Sequence, residues 1–370
     1  MNICIITGSV TRSAGGLFFS VRALTQHSMR HKDLNFEVWS IRENENITDV
    51  DQWSPIIPRV FRKSFSGKFG FSIDMIRAFL ASDFDLIHIH GLWGMPSLIA
   101  HLALIKNIPV VVSPRGMLDP WILGKRSLLK NLYAKFFEYP LLRKVSVIHA
   151  LSQEENLAIS FLNLGVPVVT IPNGVVMPLE RVKFADRNPD FILSYIGRYD
   201  NKKGLLEFIN SWASIDIKLR EKWKIYFYGW GSESYKNLLI DRISKLGLSP
   251  SCIVNGPVYG RDKVNVLQKS FAFILPTKSE GLPMAVLEAW AYGVPVLTTK
   301  HANLQIGFLN RAAIDIGSEE CFTKNISKFL NDAELIGPIL SENGIELTRK
   351  YFSWPKIAND TVEIYRHLVS

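Results

Sequence analysis

Apolar strand-like runs alternate with helical patterns from the start of this 370-residue chain, and near residue 190 the pattern begins again. Strand candidates in the first half are residues 2–7, 35–41, 85–90, 109–113, 146–150 and 168–171. Those in the second half are 191–197, 224–229, 251–254, 271–275 and 294–298. Each half opens on a strand that ends in glycine, Gly8 in one and Gly197 in the other. Strands that alternate with helices build parallel sheets, because parallel neighbours need a long crossover between them. The polar stretch from Pro178 to Pro189 reads as a linker, and 370 residues suffice for two cores. The expected chain is α/β, with doubly wound domains over 1–178 and 179–350. A closing segment, 351–370, leads from Tyr351-Phe352-Ser353-Trp354 into a helix reaching Tyr365.

With 47% hydrophobic and 21% charged residues the chain is globular. Cys4, Cys252 and Cys321 are too few and too far apart for a disulfide framework or a zinc pattern, which fits a reducing cytoplasm. The opening residues, Met1 to Gly8, lack a basic leader and read as a strand rather than a signal peptide. No run reaches the roughly 18 apolar residues that span a bilayer.

A net charge of +9 calls for a look at where the charge lies. Between Arg115 and Lys144 there are seven basic residues against two acidic ones, interleaved with Trp121, Leu132, Tyr133, Phe136 and Phe137. A second basic-aromatic stretch runs from Arg59 to Phe69. Each Lys or Arg near an anionic membrane contributes about 1 kcal/mol of attraction. Residues 59–69 and 115–144 are therefore expected to meet an anionic inner-membrane surface, with the protein peripheral to its cytoplasmic face. No nucleic-acid motif accompanies the charge, and nucleic acid is not expected as a partner.

The densest chemistry lies in Ser279-Glu280-Gly281-Leu282-Pro283-Met284-Ala285-Val286-Leu287-Glu288. The preceding run, Phe271 to Thr277, reads as a buried strand, so Glu280 falls on the loop at its carboxyl end. Pro283 suits the first turn of a helix, and Glu288 lies about five residues into it. Ligands of doubly wound sheets bind at the carboxyl ends of strands, where a helix N-terminus offers free N–H groups to phosphate. Two carboxylates flanking such a site suit the hydroxyls of a nucleotide-sugar. A second loop, Ile196-Gly197-Arg198-Tyr199-Asp200-Asn201-Lys202-Lys203-Gly204, follows the first strand of its half. It places Arg198 and Lys203, or Lys202 instead, where they neutralise a diphosphate.

Glu280 and Glu288, with seven residues between them, resemble the E-x7-E signature of family-four retaining glycosyltransferases of the GT-B fold. That resemblance implies two facing Rossmann-like domains with parallel sheets, and a C-terminal helix that returns to the first domain. It implies that Glu280 holds hydroxyls of the donor sugar and that Glu288 holds the ribose. Arg198 and Lys203 would stabilise the leaving nucleoside diphosphate. Leu282, Pro283 and Met284 would join the donor site, although many relatives carry a phenylalanine and a glycine there, which bears on the sugar used. Gly15 and Gly16, opening a helix after strand one, would face the donor phosphate across the cleft. The same glycines also serve ordinary loop sterics.

The strand end Ser113-Pro114-Arg115-Gly116-Met117 stands where many family members place a histidine, in a form associated with bacterial surface-polysaccharide transferases. Arg115 either binds the acceptor or anchors its loop, and His90 is the other acceptor candidate. His88 and His90 share one face of a strand, an arrangement open to metal binding or to structural hydrogen bonds. Asp83-Phe84-Asp85 mimics a metal-binding D-x-D but reads as a turn, and no metal or other cofactor is expected.

The function implied is transfer of a hexose or N-acetylhexosamine from a nucleoside-diphosphate sugar to a saccharide acceptor. That acceptor is expected to be lipid-linked, in lipopolysaccharide, O-antigen or other polysaccharide biosynthesis. The alternatives are a GT-B-fold nucleotide-sugar epimerase and a non-catalytic basic protein of the membrane surface. An NAD-dependent oxidoreductase would share the sheets, but no G-x-G-x-x-G follows the first strand.

Overall fold

A computed structural model describes residues 1–41, 49–65, 70–119, 128–178, 184–187 and 190–370. The chain divides into two compact units, Met1–Gly174 with Trp354–Ser370, and Val175–Ser353. The breaks fall at Gly174/Val175 and Ser353/Trp354, against sequence-based boundaries at 178 and 350.

The first unit holds a seven-stranded parallel sheet. Its strands are β1 Asn2–Thr7, β2 Asn35–Ile41, β3 Arg59–Phe61, β4 Leu86–His90, β5 Val110–Ser113, β6 Val147–Ala150 and β7 Val168–Thr170. Their spatial order is β3-β2-β1-β4-β5-β6-β7, so the winding direction reverses between β1 and β4. Those two pair in register from Ile3 opposite Leu86 to Thr7 opposite His90. Both faces of the sheet are covered, which is why Leu86 through His90 are buried at every position rather than at alternate ones. The helix Trp354–Val369 belongs to this unit and packs its Tyr365 ring near Phe36 and His88.

The second unit repeats the plan with β8 Asp190–Tyr199, β9 Lys224–Gly231, β10 Cys252–Asn255, β11 Ser270–Leu275, β12 Val296–Thr298 and β13 Ala313–Asp315. The order is β10-β9-β8-β11-β12-β13, all parallel, with the reversal between β8 and β11. Phe191, Trp223, Phe271 and Phe329 form an aromatic core with ring centroids 5.1–6.3 Å apart. Trp290 is fully buried and donates through Nε1 to Ala312 O at 2.8 Å. A Cβ at Gly307 or Gly344 would come within 2.6 or 2.8 Å of its ring, so glycine at both positions makes room for the indole. This anchors the helix Met284–Ala291, on which Glu288 is carried.

β3 was not anticipated. Arg59, Val60 and Phe61 belong to a sheet-edge strand rather than to a free surface stretch. Phe61 is buried, and the Arg59 guanidinium lies 5.2 Å from the Trp39 ring centroid and 4.9 Å from that of Phe61. Residues 66–69, and 120–127 with Trp121, Lys125 and Arg126, lie outside the described residues, as does most of the Pro178–Pro189 linker.

Candidate functional site

In a doubly wound sheet the reversal point opens a crevice at the carboxyl ends of the two diverging strands. In the second unit those strands are β8 and β11, and the residues singled out from sequence gather there. After β8 the chain forms a short 3-10 turn, Asn201–Lys203, capped by Asp200 Oδ1, which accepts from Lys202 N at 2.8 Å. Gly204 follows in the left-handed region at φ +67°. A Cβ there would lie 2.0 Å from Pro276 O. Only glycine lets this turn press against the loop after β11, where Lys278 N donates to Lys202 O at 2.8 Å.

That approach brings Lys203 Nζ into an ion pair with Glu280 Oε1, both side chains being largely buried. Glu280 is held from several sides. Its N–H donates to His301 O at 2.9 Å, Asn303 Nδ2 donates to its carbonyl at 2.5 Å, and Thr277 Oγ1 lies 3.2 Å from its carboxylate. Of the two lysines open from sequence, Lys203 is the one at the carboxylate. Glu288 pairs with Lys263 of the helix Gly260–Lys269, a partner that no sequence spacing announced. Pro283 caps the helix that starts at Met284, and Leu282 is buried beside it.

Arg198 is exposed, and its place is set by its backbone. Buried Tyr195 donates its hydroxyl to Arg198 O at 2.7 Å. A Cβ at Gly197 would lie 2.6 Å from that hydroxyl, so the glycine clears the path between them. Burial, and after it the Glu280 carboxylate, push the Tyr195 phenol well above its ordinary range, so it stays a neutral donor.

In the first unit the reversal point lies between β1 and β4. Gly15 sits at φ +59° and caps the helix Gly16–Ser28 without a side-chain hydrogen bond. A Cβ at Gly16 would meet nothing within 4 Å. The loop before them is tied down by Asp49, which accepts from Arg12 N at 2.8 Å and from Arg12 Nε at 2.6 Å.

Behind β4 lies a buried polar chain whose direction is dictated by its far end. His149 Nε2 lies 2.6 Å from Ile171 O, and a carbonyl only accepts, so Nε2 carries the proton. His149 Nδ1 then accepts from Ser113 Oγ at 2.9 Å. Ser113 in turn accepts from His88 Nε2 at 2.7 Å, and His88 Nδ1 accepts from Tyr365 at 2.6 Å. Both histidines are thereby neutral. Burial is the main reason that His88 and His149 titrate far below the usual histidine range, with His149 lowered to about 3. Sequence reading missed Tyr365 and His149, although His149 stands on the predicted strand 146–150.

Arg115 takes φ +57° and turns its guanidinium onto Asn173 Oδ1 at 2.6 Å and His90 Nδ1 at 2.9 Å. Burial lowers its pKa to about 10, so it remains charged at neutral pH. Of the two roles open to Arg115 from sequence, the structure displays the anchoring one. Among the described residues no group of three or more His, Cys, Asp or Glu side chains is arranged to hold a metal.

Leu132 and Phe136 are exposed, and Lys135 Nζ lies 5.7 Å from the Phe136 ring centroid. Phe137, by contrast, packs on His101 at 4.3 Å between ring centroids. Among the described residues no helix is long and apolar enough to cross a membrane.

Residues 15–177 match the Glycosyltransferase Family 4 domain, and residues 176–337 match Glycosyl transferases group 1. Over 185 residues the chain is 26% identical to the capsular polysaccharide biosynthesis glycosyltransferase CapM of Staphylococcus aureus. That match covers 48% of this chain and 46% of the Staphylococcus protein, so it spans about half of that relative's length. The glycosyltransferase MJ1178 of Methanocaldococcus jannaschii is 25% identical over 77% of this chain and 76% of its own. The structure of Anabaena Alr3699/HepE in complex with UDP-glucose superposes with a TM-score of 0.78 at 17% identity, covering 100% of both chains, a likeness of fold.

Proposed function

The chain belongs to the glycosyltransferases of the GT-B fold, a Family 4 domain followed by a group 1 domain, and from that premise we propose a retaining transferase that uses a nucleoside-diphosphate sugar. It moves a hexose or N-acetylhexosamine to a saccharide acceptor, lipid-linked and presented at the cytoplasmic face of the inner membrane. The pathway in this reading is assembly of a bacterial surface polysaccharide such as capsule, lipopolysaccharide or O-antigen. CapM's name supports that context, and the complex of HepE with UDP-glucose supports the donor class.

The observation that carries the donor site is the convergence of Arg198, the Lys203–Glu280 pair and Glu288 at the β8/β11 reversal point. In this reading Arg198 and Lys203 meet the diphosphate, with the first N–H groups of the helix Met284–Ala291 beside them. Positive charge fixed in advance is most useful where negative charge develops on the leaving group. Glu280 accepts from donor-sugar hydroxyls and Glu288 from the ribose. Retention follows from attack on the face that the diphosphate leaves, with a leaving phosphate oxygen taking the acceptor proton. Gly15 N already donates to Arg12 O at 2.9 Å and is not open to a ligand, and Leu132, Lys135 and Phe136 form the described part of the membrane-facing surface.

Incubation with UDP-, GDP-, ADP- and dTDP-sugars and a lipid-linked saccharide, followed by NMR of the product's anomeric carbon, tests this. A new linkage with the donor's configuration is expected. Conversion of the donor sugar without an acceptor would instead identify an epimerase, and inversion would overturn the proposed mechanism.

A further inference from the structure

The two loops that meet at the β8/β11 reversal point exchange lysines in opposite directions. Lys203, on the turn after β8, reaches the Glu280 carboxylate of the loop after β11. Lys278, on the loop after β11, reaches the Glu207 carboxylate in the first turn of the helix Leu205–Ala213, which continues from the turn after β8. Lys203 and Glu207 are four positions apart and Lys278 and Glu280 two, so both ion pairs cross one seam. The backbone crosses it as well, through Lys278 N donating to Lys202 O at 2.8 Å.

The second pair is a poor device for stability alone. Glu207 is largely buried, and its Oε2 has no hydrogen-bond partner among the described residues. The Tyr235 hydroxyl is buried and equally unpartnered there, although the Glu207 charge adds to burial in raising its pKa. Attraction within an ion pair offsets the loss of water only when the remaining lone pairs are satisfied, and here one carboxylate oxygen is left over. What the pair does supply is a fixed approach between the helix that follows the turn and the loop that carries Glu280. The Lys203–Glu280 pair supplies the same approach, but a diphosphate beside Lys203 competes with Glu280 for its charge.

We propose that Lys278 and Glu207 are positioning residues for the donor diphosphate, their ion pair holding the two loops together while Lys203 is drawn from Glu280 toward phosphate. Neither residue touches the donor, and both act through Lys203. The pair that the ligand disturbs is backed by a second pair that shares neither its lysine nor its carboxylate. A nucleoside diphosphate therefore depends on Lys278 and Glu207 more than the matching monophosphate does, because its second phosphate adds the charge that Lys203 meets. The inference rests on the donor-site reading and adds two residues to it.

The test is calorimetric titration of the full chain with UDP and UMP, GDP and GMP, ADP and AMP, and dTDP and dTMP. It is run on the unaltered chain, on Glu207→Gln, Lys278→Gln and Lys203→Ala, and on each of the first two combined with the third. For the diphosphate that binds, Glu207→Gln and Lys278→Gln are each expected to weaken binding about 10-fold, the order of one hydrogen bond to a charged group, and to weaken the monophosphate less. In the Lys203→Ala background both losses should nearly vanish, since residues that act through Lys203 have nothing left to place. Undiminished losses in that background overturn the inference. A larger loss for Lys278→Gln than for Glu207→Gln would put Lys278 on the phosphate itself and overturn the positioning role. Urea midpoints without nucleotide identify a merely structural pair, for which the midpoint falls and the folded protein keeps its diphosphate affinity. If Glu207→Gln does not fold, Lys278→Gln, altered at the more exposed partner, carries the same cycle. Unchanged diphosphate affinity in the folded variants overturns the inference and leaves the donor-site reading standing, whereas no binding by the unaltered chain removes both.

Discussion

Lys203 and Glu280 are joined in an ion pair although 77 positions separate them, because Gly204 lets the turn after β8 lie against the loop after β11. The pair places a cation and a carboxylate side by side at the reversal point of the sheet, where the proposed donor would have its diphosphate and sugar held next to each other. It also explains how a basic residue can stay in place before a ligand arrives. Without its partner, each of these largely buried charges would be left uncompensated.

Replacing Lys203 with Ala should lower kcat more than it raises the acceptor KM. A hydrogen bond to a charged group contributes about 1.5–3 kcal/mol, so the loss in kcat/KM for the donor should be roughly 10- to 150-fold. Steady-state kinetics with both substrates varied reads this directly. A change confined to the acceptor KM would remove Lys203 from the diphosphate.

Gly204→Ala should destabilise the second unit and remove nucleotide binding together. The left-handed backbone alone costs a non-glycine residue about 1–2 kcal/mol. The contact at 2.0 Å with Pro276 O adds to that and forces the turn away from Glu280. Urea denaturation with and without nucleotide measures both effects. An unchanged midpoint with normal nucleotide affinity would show that the turn is not held as described.

Stability should fall as the pH drops below about 6.5. His88, His90 and His149 are buried, and burial is the largest cause of their lowered pKa values, with His149 near 3. Below the unfolded-state value the unfolded chain binds protons that the folded chain does not, so acid favours unfolding. Each histidine contributes a slope of up to about 1.4 kcal/mol per pH unit in that window. Urea midpoints between pH 5 and 8 check it, and His149→Phe, which removes one titrating site, should flatten the dependence. A flat profile in the unaltered protein would contradict the neutral hydrogen-bonded chain from Tyr365 to Ile171.

Phe136→Asp should weaken binding to vesicles rich in anionic lipid without changing nucleotide affinity. Phe136 is 71% exposed, with Lys135 beside it, so the change places a negative charge where the surface is apolar and basic. Sedimentation with vesicles measures this. Equal binding by both proteins would move the membrane contact elsewhere.

Most of the architecture was legible from sequence because buried parallel strands are continuous apolar runs, as in Phe271 to Leu275. The two strands that escaped, Arg59–Phe61 and Ala313–Asp315, are three residues each and lie at sheet edges, too short to show a period. Glu280 and Glu288 were visible because two carboxylates interrupt a segment otherwise built to be buried. Their partners were not equally legible. Lys203 stood out beside Gly204, whereas Lys263 sits on a polar helix among other charges. Tyr365 and His149 could not be joined to His88 before the fold was known, since 277 positions separate Tyr365 from His88. The two roles left open for Arg115 stayed unresolved in the sequence, which shows its charge but not the His90 and Asn173 that its guanidinium meets.

The donor site at the β8/β11 reversal point is tested most directly by thermal unfolding with UDP, GDP, ADP and dTDP, on the unaltered chain and on Glu288→Gln. A ligand at a hundredfold excess over Kd adds about 2.7 kcal/mol of stability. One nucleotide should raise Tm clearly, and most of that rise should vanish in Glu288→Gln as affinity falls about 10- to 150-fold. No shift with any nucleotide, or an undiminished shift in the variant, would contradict the assignment of Glu288 and its neighbours to the nucleotide.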